Sequence, residues 1–344
     1  MSIKFSVIFS FVAPPGSPTT HQHTFREFIE LCPLIESLGY HGIHVTEHHF
    51  QKDGFLPSPL LGLSAAAALT KRVKLATNIM VTSLYQPVHL LEDLATLDQL
   101  SEGRLILGTS PGYASEEFAG RGVSYADRFK IHEETISFLQ KAWANPDDIS
   151  FDGQFVKVPA LQLSPRPVQK ELPIWYGVSG PKLLQRAAER KAVLVASPRH
   201  TNAELQEHYA QYLQHCETVG YAPTERPIFR ECMVLDTVEE AERYGVDGTN
   251  GLFGIYGRKS AEGERALHTD GGALVTDVDM VQFREMSSRY IVGDPKAAID
   301  KIEKLKQDLA PTEIVLRMQM PGVPTERFRH MLRLFAEKVI PHFS

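Results

Sequence analysis

The sequence predicts an α/β chain closed into a (β/α)8 TIM barrel, with a long insertion before the last helix–strand–helix unit. Three observations predict it. Eight short apolar runs alternate along the chain with segments of helical periodicity, the pattern of a parallel sheet. The 344 residues, 43% hydrophobic and 23% charged, have ordinary globular composition, and barrels of this class fill about 250 residues or more as one domain. Titratable residues and glycines gather where the apolar runs end, the carboxyl edge at which parallel α/β proteins bind and react.

In order, Ile3 to Phe9 is the first strand, followed by a Pro/Gly/Thr loop from Pro14 to Thr20. Phe25, Phe28, Ile29, Cys32 and Ile35 mark one helical face. Pro33 removes a backbone donor inside that helix and is expected to kink or divide it. Gly39 ends the helical pattern, and Ile43 and Val45 then alternate as buried strand residues before the chain runs into Glu47, His48 and His49. A proline-rich loop (Gly54 to Pro59) leads to an alanine-rich helix ending near Thr70, and Val73 to Thr82 is the third strand. Pro87 opens a helix through Leu100, which SEGR turns into the fourth strand, Leu105 to Thr109. The stretch SPGYASEEFAGRG is predicted as a long loop before a helix from Tyr125 to Trp143. Ile149 to Val158 reads as a hairpin outside the repeat, turning at Asp152-Gly153.

Pro173 to Tyr176 and Val193 to Ala196 are strands five and six, with a helix from Pro181 to Arg190 between them. Asn202 to Val219 is helical and Ile228 to Leu235 is strand seven. From about Gly245 to Tyr290 the periodicity fails, and so long a connection is expected to be a lid. Pro295 to Leu309, Glu313 to Met318 and Glu326 to Val339 complete the barrel as helix, strand and helix, within a single domain spanning 1–344.

The net charge of -6, without a block of like charges, argues against nucleic acid or an anionic membrane as partner. No stretch approaches the roughly 18 apolar residues that span a bilayer, and the apolar run Phe5 to Ala13 reads as a strand rather than a signal peptide. Cys32, Cys216 and Cys232 are isolated, which suits a reducing compartment and makes no zinc spacing. A cytoplasmic protein acting on a small molecule is the expectation.

The strand ends assemble a site from Glu47, His48 and His49; Thr77 and Asn78; Ser110 to Tyr113; Gly177 to Gly180; Pro198 to His200; and Gln319 with Met320. In Gly177-Val178-Ser179-Gly180-Pro181 the glycines allow close backbone approach and Pro181 opens a helix, whose unpaired amides attract phosphate. Arg128, near another helix start, is a positive partner for it. Such a subsite suits FMN, whereas no GxGxxG dinucleotide fingerprint follows the first strand. A rival reading takes His21 and His23 as metal ligands of a hydrolase on the same barrel. Strands five and eight end in no histidine or aspartate to complete that set.

Four stretches resemble the bacterial luciferase-like flavin-dependent monooxygenases: EHHF at Glu47 to Phe50, VKLATNIMV at Val73 to Val81, LEDLATLDQLSEGRLILG at Leu91 to Gly108, and PIWYGVSGPKLLQRAAER at Pro173 to Arg190. VGDP at Val292 to Pro295 matches that family's late helix start. The resemblance implies a barrel that takes reduced FMN as co-substrate from a separate flavin reductase and uses O2 to oxidise a small, mostly apolar organic compound, usually as a homodimer. It implies His48 as catalytic residue, steadying the oxygenated flavin or moving a proton, with Glu47 beside it. It implies Asn78 and Ile79 under the flavin ring, joined by a cis peptide, and Ser179 and Gly180 at the phosphate with Arg128 near it; Thr77 and Gly177, from the strand ends, are the other expected cofactor-binding residues. Phe11, Tyr113, Phe253, Tyr256, Arg258 and Arg289 are the expected substrate and lid residues. Pro111 and Ser179 stand where luciferase itself has an arginine and a glutamate, so light emission is not expected. Hydride transfer with a deazaflavin, and flavin binding without catalysis, are the alternatives inside the same fold.

Overall fold

The computed structural model describes residues 2–13, 15, 19–52, 54–257, 267–268, 270, 274–275 and 278–344. In chain order the elements are β1 (Lys4–Phe9), α1 (His21–Ser37), β2 (Gly42–Val45), α2 (Pro59–Leu69), β3 (Lys74–Met80), α3 (Pro87–Ser101), β4 (Leu105–Thr109), α4 (Ser115–Arg121), α5 (Arg128–Ala144), β5 (Ile149–Asp152), β6 (Lys157–Leu161), β7 (Ile174–Tyr176), α6 (Pro181–Glu189), β8 (Val193–Leu194) and α7 (Asn202–Thr218). They continue with β9 (Pro227–Val234), α8 (Val238–Gly257), β10 (Leu267–His268), β11 (Leu274–Val275), α9 (Met280–Glu285), β12 (Tyr290–Gly293), α10 (Pro295–Leu309), β13 (Glu313–Arg317), α11 (Thr325–Lys338) and α12 (Ile340–Phe343).

Nine strands form one parallel sheet in the order β12-β9-β13-β1-β2-β3-β4-β7-β8. The sheet curls into a TIM barrel, because one side chain from each of several walls meets at the centre. Ile8, Ala76, Ile106, Trp175, Val195, Phe229 and Val315 make a single apolar layer that joins the two ends of the sheet. Alternate residues of the same strands face outward into the larger helix-covered core, so the strands read as continuous apolar runs. The eight predicted strands are all present, and β12 is a ninth that pairs with β9.

Three local expectations are corrected. α1 is undivided through Pro33; the proline is exposed, so the carbonyl it leaves without a donor faces water while Phe28, Leu31, Cys32 and Ile35 hold the buried side. The expected loop after β4 contains α4, with Glu116 and Glu117 in its first turn, where acids offset the helix dipole. Residues 245–257 are the second half of α8 rather than loop, and Tyr290 begins a strand. Of the expected lid residues, Arg258 and the side chains of Phe253 and Tyr256 lie outside the described residues. The predicted hairpin is β5–β6; its turn wraps the Glu134 carboxylate, which accepts the backbone N–H groups of Gln154, Phe155 and Val156.

The LDQLSEGR stretch has a structural reason to exist. Asp98 accepts the backbone N–H groups of Val168 and Gln169 at 2.7 and 2.9 Å, pinning the chain that leads into β7. Buried Arg104 closes the end of α2, donating to the Ala67 and Thr70 carbonyls, to the Val73 carbonyl and to Thr70 Oγ1. Its Nε donates to the Ser101 carbonyl at 2.6 Å. Arg104→Leu strands those acceptors away from water and should cost about 2–4 kcal/mol. Urea unfolding of the two proteins checks this: an unchanged midpoint would mean that water replaces the guanidinium.

Candidate active site

At the carboxyl ends of the strands lies a cavity of about 850 Å³, within the range of small-molecule and cofactor sites. Its floor is made where β3 breaks ladder with β4: pairing is regular to Thr77–Leu107 and resumes out of step at Met80–Thr109. Asn78 and Ile79 fill the interruption, joined by a cis peptide as the resemblance implied, and both line the cavity. Neighbouring glycines make room. A Cβ on Gly108 would lie 2.0 Å from the Thr77 carbonyl oxygen, and one on Gly177 would lie 2.6 Å from Ile79 Cγ1. Thr77 itself is not in the lining; its Oγ1 donates to the Gly108 carbonyl at 2.7 Å and ties the two strands together.

One wall comes from the end of β2. His48 lines the cavity with its side chain 11% exposed, and its Nδ1 lies 3.0 Å from Glu117 Oε1. The ring packs edge-on against Phe55 and Tyr113, at centroid distances of 4.7 and 5.9 Å. The same Glu117 oxygen accepts the His49 backbone N–H at 3.1 Å. Burial alone would push the Glu117 carboxyl up, but its bonds to His48 and His49 hold it below the usual carboxylate range. A charged Glu117 then accepts a hydrogen bond from His48 Nδ1–H, which makes Nε2 the exchangeable position of the ring.

Glu47 has a different surrounding. One oxygen accepts from His49 Nε2 at 2.6 Å and the other from the Val81 N–H at 3.2 Å. Burial pushes its carboxyl up despite those bonds. His49 also faces Arg121 Nη2 through Nδ1 at 3.3 Å, so the pair Glu47–His49 braces β2 against β3 and α4. Of the Glu-His-His run, Glu47 and His48 both line the cavity, and His48 has the Glu117 carboxylate behind it.

At the rim, Gly177, Val178 and Ser179 line the cavity, and Gly180, at φ +91°, starts α6. No side chain caps this helix, and a Cβ on Gly180 would meet open space. The amide-rich helix start is therefore available to an anion. Arg128 is outside the cavity lining: its guanidinium stacks 3.9 Å from the Tyr125 ring centroid and 4.2 Å from that of Phe129, and donates to the Tyr125 carbonyl. Its Nε is buried with no hydrogen-bond partner among the described residues.

On the opposite wall, from β8, β9, β12 and β13, Pro198 to His200 and Arg289 were expected, but the pair of Glu231 and Arg317 was not. Glu231 and Arg317 face each other across adjacent strands, Oε2 to Nε 3.4 Å. Burial pushes the Glu231 carboxyl up against the pull of Arg317 and Arg230. Arg289 is in the lining as expected, but it is engaged: Nε donates to the Arg199 carbonyl at 2.7 Å and Nη1 to Asp270 at 2.8 Å. His200, also in the lining, packs edge-on to His208, and burial with that neighbour pushes it down to about 4. Phe11 is corrected as a pocket residue: at φ 57° it turns into the core against Phe9, Phe25 and Phe28. His21 and His23 lie off the cavity, His23 bonded to Thr325 and His21 beside Gly54. Among the described residues no three metal-ligating side chains converge, and no helix is long and apolar enough to cross a membrane.

The family model for luciferase-like monooxygenases matches residues 3–312. The chain belongs to that family. The oxygenase component of the flavin-dependent trigonelline monooxygenase of Acinetobacter baylyi is 25% identical over 338 residues, 94% of this chain and 91% of that one. The F420-dependent glucose-6-phosphate dehydrogenase of Amycolatopsis mediterranei is 26% identical, covering 92% and 94% of the two chains. The crystal structure of monooxygenase RslO1 from Streptomyces bottropensis superposes with a TM-score of 0.86 at 25% identity, over 99% of this chain and all of that one. Flavin-dependent and F420-dependent enzymes thus both stand among its relatives.

Glu117 carries no sequence signal beyond the acids at a helix start, yet it is the partner of His48. Glu117→Ala should lower turnover about 10²-fold, the low end of what an oriented acid–base group contributes. The same variant fixes a pH sign. A carboxyl held low in the fold stabilises it above the unfolded value of about 4.3 and loses that contribution as pH falls through the lower folded value. Wild type and Glu117→Ala should differ in stability at pH 7 and converge below about pH 4. Parallel acid-unfolding curves for the two proteins would remove the charge from Glu117.

Proposed function

We propose that this protein is an FMN-dependent monooxygenase that takes reduced flavin and O2 and oxidises a small organic compound. The observation that carries the reading is one cavity holding three things together: His48 backed by Glu117, the Asn78–Ile79 floor, and the uncapped start of α6. These residues fit FMN. Ser179, Gly180 and the first amides of α6 would hold the phosphate, while Gly177 leaves the room that Ile79 takes on the floor against which the ring would rest. When bound, reduced FMN supplies the electrons that activate O2.

The chain's own residues do the rest. His48 holds or moves a proton at Nε2, with Glu117 fixing its orientation. Glu47 and His49 keep the β2 end rigid behind it. The β9–β13 wall, with Glu231 and Arg317 facing the cavity, fits a substrate whose apolar body carries at least one hydrogen-bonding group. A separate flavin reductase is supported by the relative from Acinetobacter baylyi, which is named as an oxygenase component. The F420-dependent relative favours a second reading, hydride transfer through a deazaflavin without O2.

Anaerobic titration with reduced FMN, followed by stopped-flow mixing with air-saturated buffer, separates the readings. A transient absorbance distinct from both oxidised and reduced flavin supports oxygen activation. Tight binding of reduced F420 with no O2 consumption supports the second reading instead. His48→Ala should leave FMN binding within a few-fold and lower turnover about 10²-fold or more; unchanged turnover sinks the role of His48. Ser179→Asp should weaken FMN more than riboflavin, because a carboxylate there repels phosphate. Equal losses for both ligands would put the phosphate elsewhere.

A further inference from the structure

Beneath the cavity floor the barrel contains a polar chain that the reaction as proposed does not use. The central layer of the barrel is apolar on β1, β3, β4, β7, β9 and β13. On β2 its level is occupied by His44, which is fully buried and tilted against Trp175 at 5.5 Å. Upward, His44 Nδ1 lies 3.3 Å from Asn78 Nδ2, on the residue that lines the cavity. Downward, its Nε2 lies 3.3 Å from Glu313 Oε1, at an angle short of full hydrogen-bond geometry. Glu313 Oε1 accepts from buried Ser6 Oγ at 2.6 Å, and His41 Nε2 stands 3.9 Å from Oε2. Gly42 makes room for this: a Cβ there would lie 2.7 Å from Ser6 Oγ and 3.2 Å from His44 Nε2.

Donor and acceptor capacity fixes the orientation of the whole chain. An amide nitrogen only donates, so with Asn78 Nδ2 turned down toward His44, Nδ1 of the ring must be the unprotonated acceptor. The ring proton then sits on Nε2 and points at Glu313. Burial pushes the Glu313 carboxyl up, but His44, His41 and Ser6 outweigh burial and hold it low, a charged acceptor for that proton. With its nitrogen committed downward, Oδ1 is the end of the amide left to serve the cavity that Asn78 lines.

We propose that Glu313 and His44 are positioning residues that hold Asn78 with its oxygen toward the cavity, so that the floor presents a hydrogen-bond acceptor and selects the reduced form of the bound ring. The selection rests on the flavin reading: a dihydroflavin carries an N–H donor at a ring nitrogen that is a bare acceptor in the oxidised flavin. An acceptor that reaches this nitrogen pairs with the first and faces a lone pair on the second. A reversed histidine tautomer would turn the Asn78 NH2 group up and invert that preference.

Two measurements test it. In the full-length protein labelled with [15N]histidine, a long-range proton–nitrogen correlation spectrum at pH 7.5 should contain one neutral imidazole protonated on Nε2 alone that is absent from His44→Leu. A His44 signal protonated on Nδ1, or on both nitrogens, overturns the relay. Separately, Asn78→Leu and His44→Leu should each weaken binding of reduced FMN about 10-fold while changing that of oxidised FMN less than about 3-fold, the scale of one hydrogen bond. Equal losses for the two redox forms would mean that the chain is merely structural. Wild-type protein that binds neither form overturns the selection together with the flavin reading, and the tautomer still decides the relay.

Discussion

The site depends on the seam between β3 and β4. A regular parallel ladder would carry Asn78 and Ile79 past the cavity as ordinary strand residues. Instead the register slips between Thr77 and Met80, and the side chain of Thr77 reaches across to the Gly108 carbonyl to hold the strands together on the near side of the slip. Two absent side chains, at Gly108 and Gly177, leave the space into which Ile79 settles. The cavity floor is therefore a consequence of strand pairing that fails at one place and is tied at its edge.

Around that floor the barrel distributes carboxylates by environment. Glu117 and Glu313 are buried beside imidazoles and stay charged, each fixing the proton position of a histidine ring. Glu47 and Glu231 are buried with weaker compensation and are pushed toward the neutral acid. Two histidines, His48 and His44, thus sit near the same cavity with opposite tautomers implied by their partners. His48 donates a hydrogen bond from Nδ1–H to Glu117; His44 keeps Nε2 protonated and accepts from Asn78 at Nδ1.

Much of the fold was legible because barrel strands are buried on both faces and helices on one, so apolar runs and 3.6-residue periodicity mark them directly. The eight predicted strands, the β5–β6 hairpin and the start of α6 at Pro181 all follow from such local rules. Pro33 misled because a helix interior tolerates a proline where the freed carbonyl meets water. α4 was missed because seven residues give barely two turns of pattern, and with it went Glu117. The wall built by Glu231, Arg317 and Asp270 was illegible for another reason: these residues are far apart in sequence and meet only when β9, β12 and β13 close the barrel.

Local sequence therefore determined which segments are strand and helix, where the carboxyl edge lies, and that Glu47-His48-His49 and Gly177 to Gly180 belong to it. Periodicity and turn chemistry act over a few residues, so a single sequence states them. Tertiary structure alone decided that Glu117 stands behind His48, that Phe11 turns into the core, and that His44 joins Glu313 to Asn78. Those outcomes are set by which side chains become neighbours when strands some 30 to 270 positions apart are brought together, and a partner's identity is what fixes the charge, the tautomer and the direction of a buried polar group.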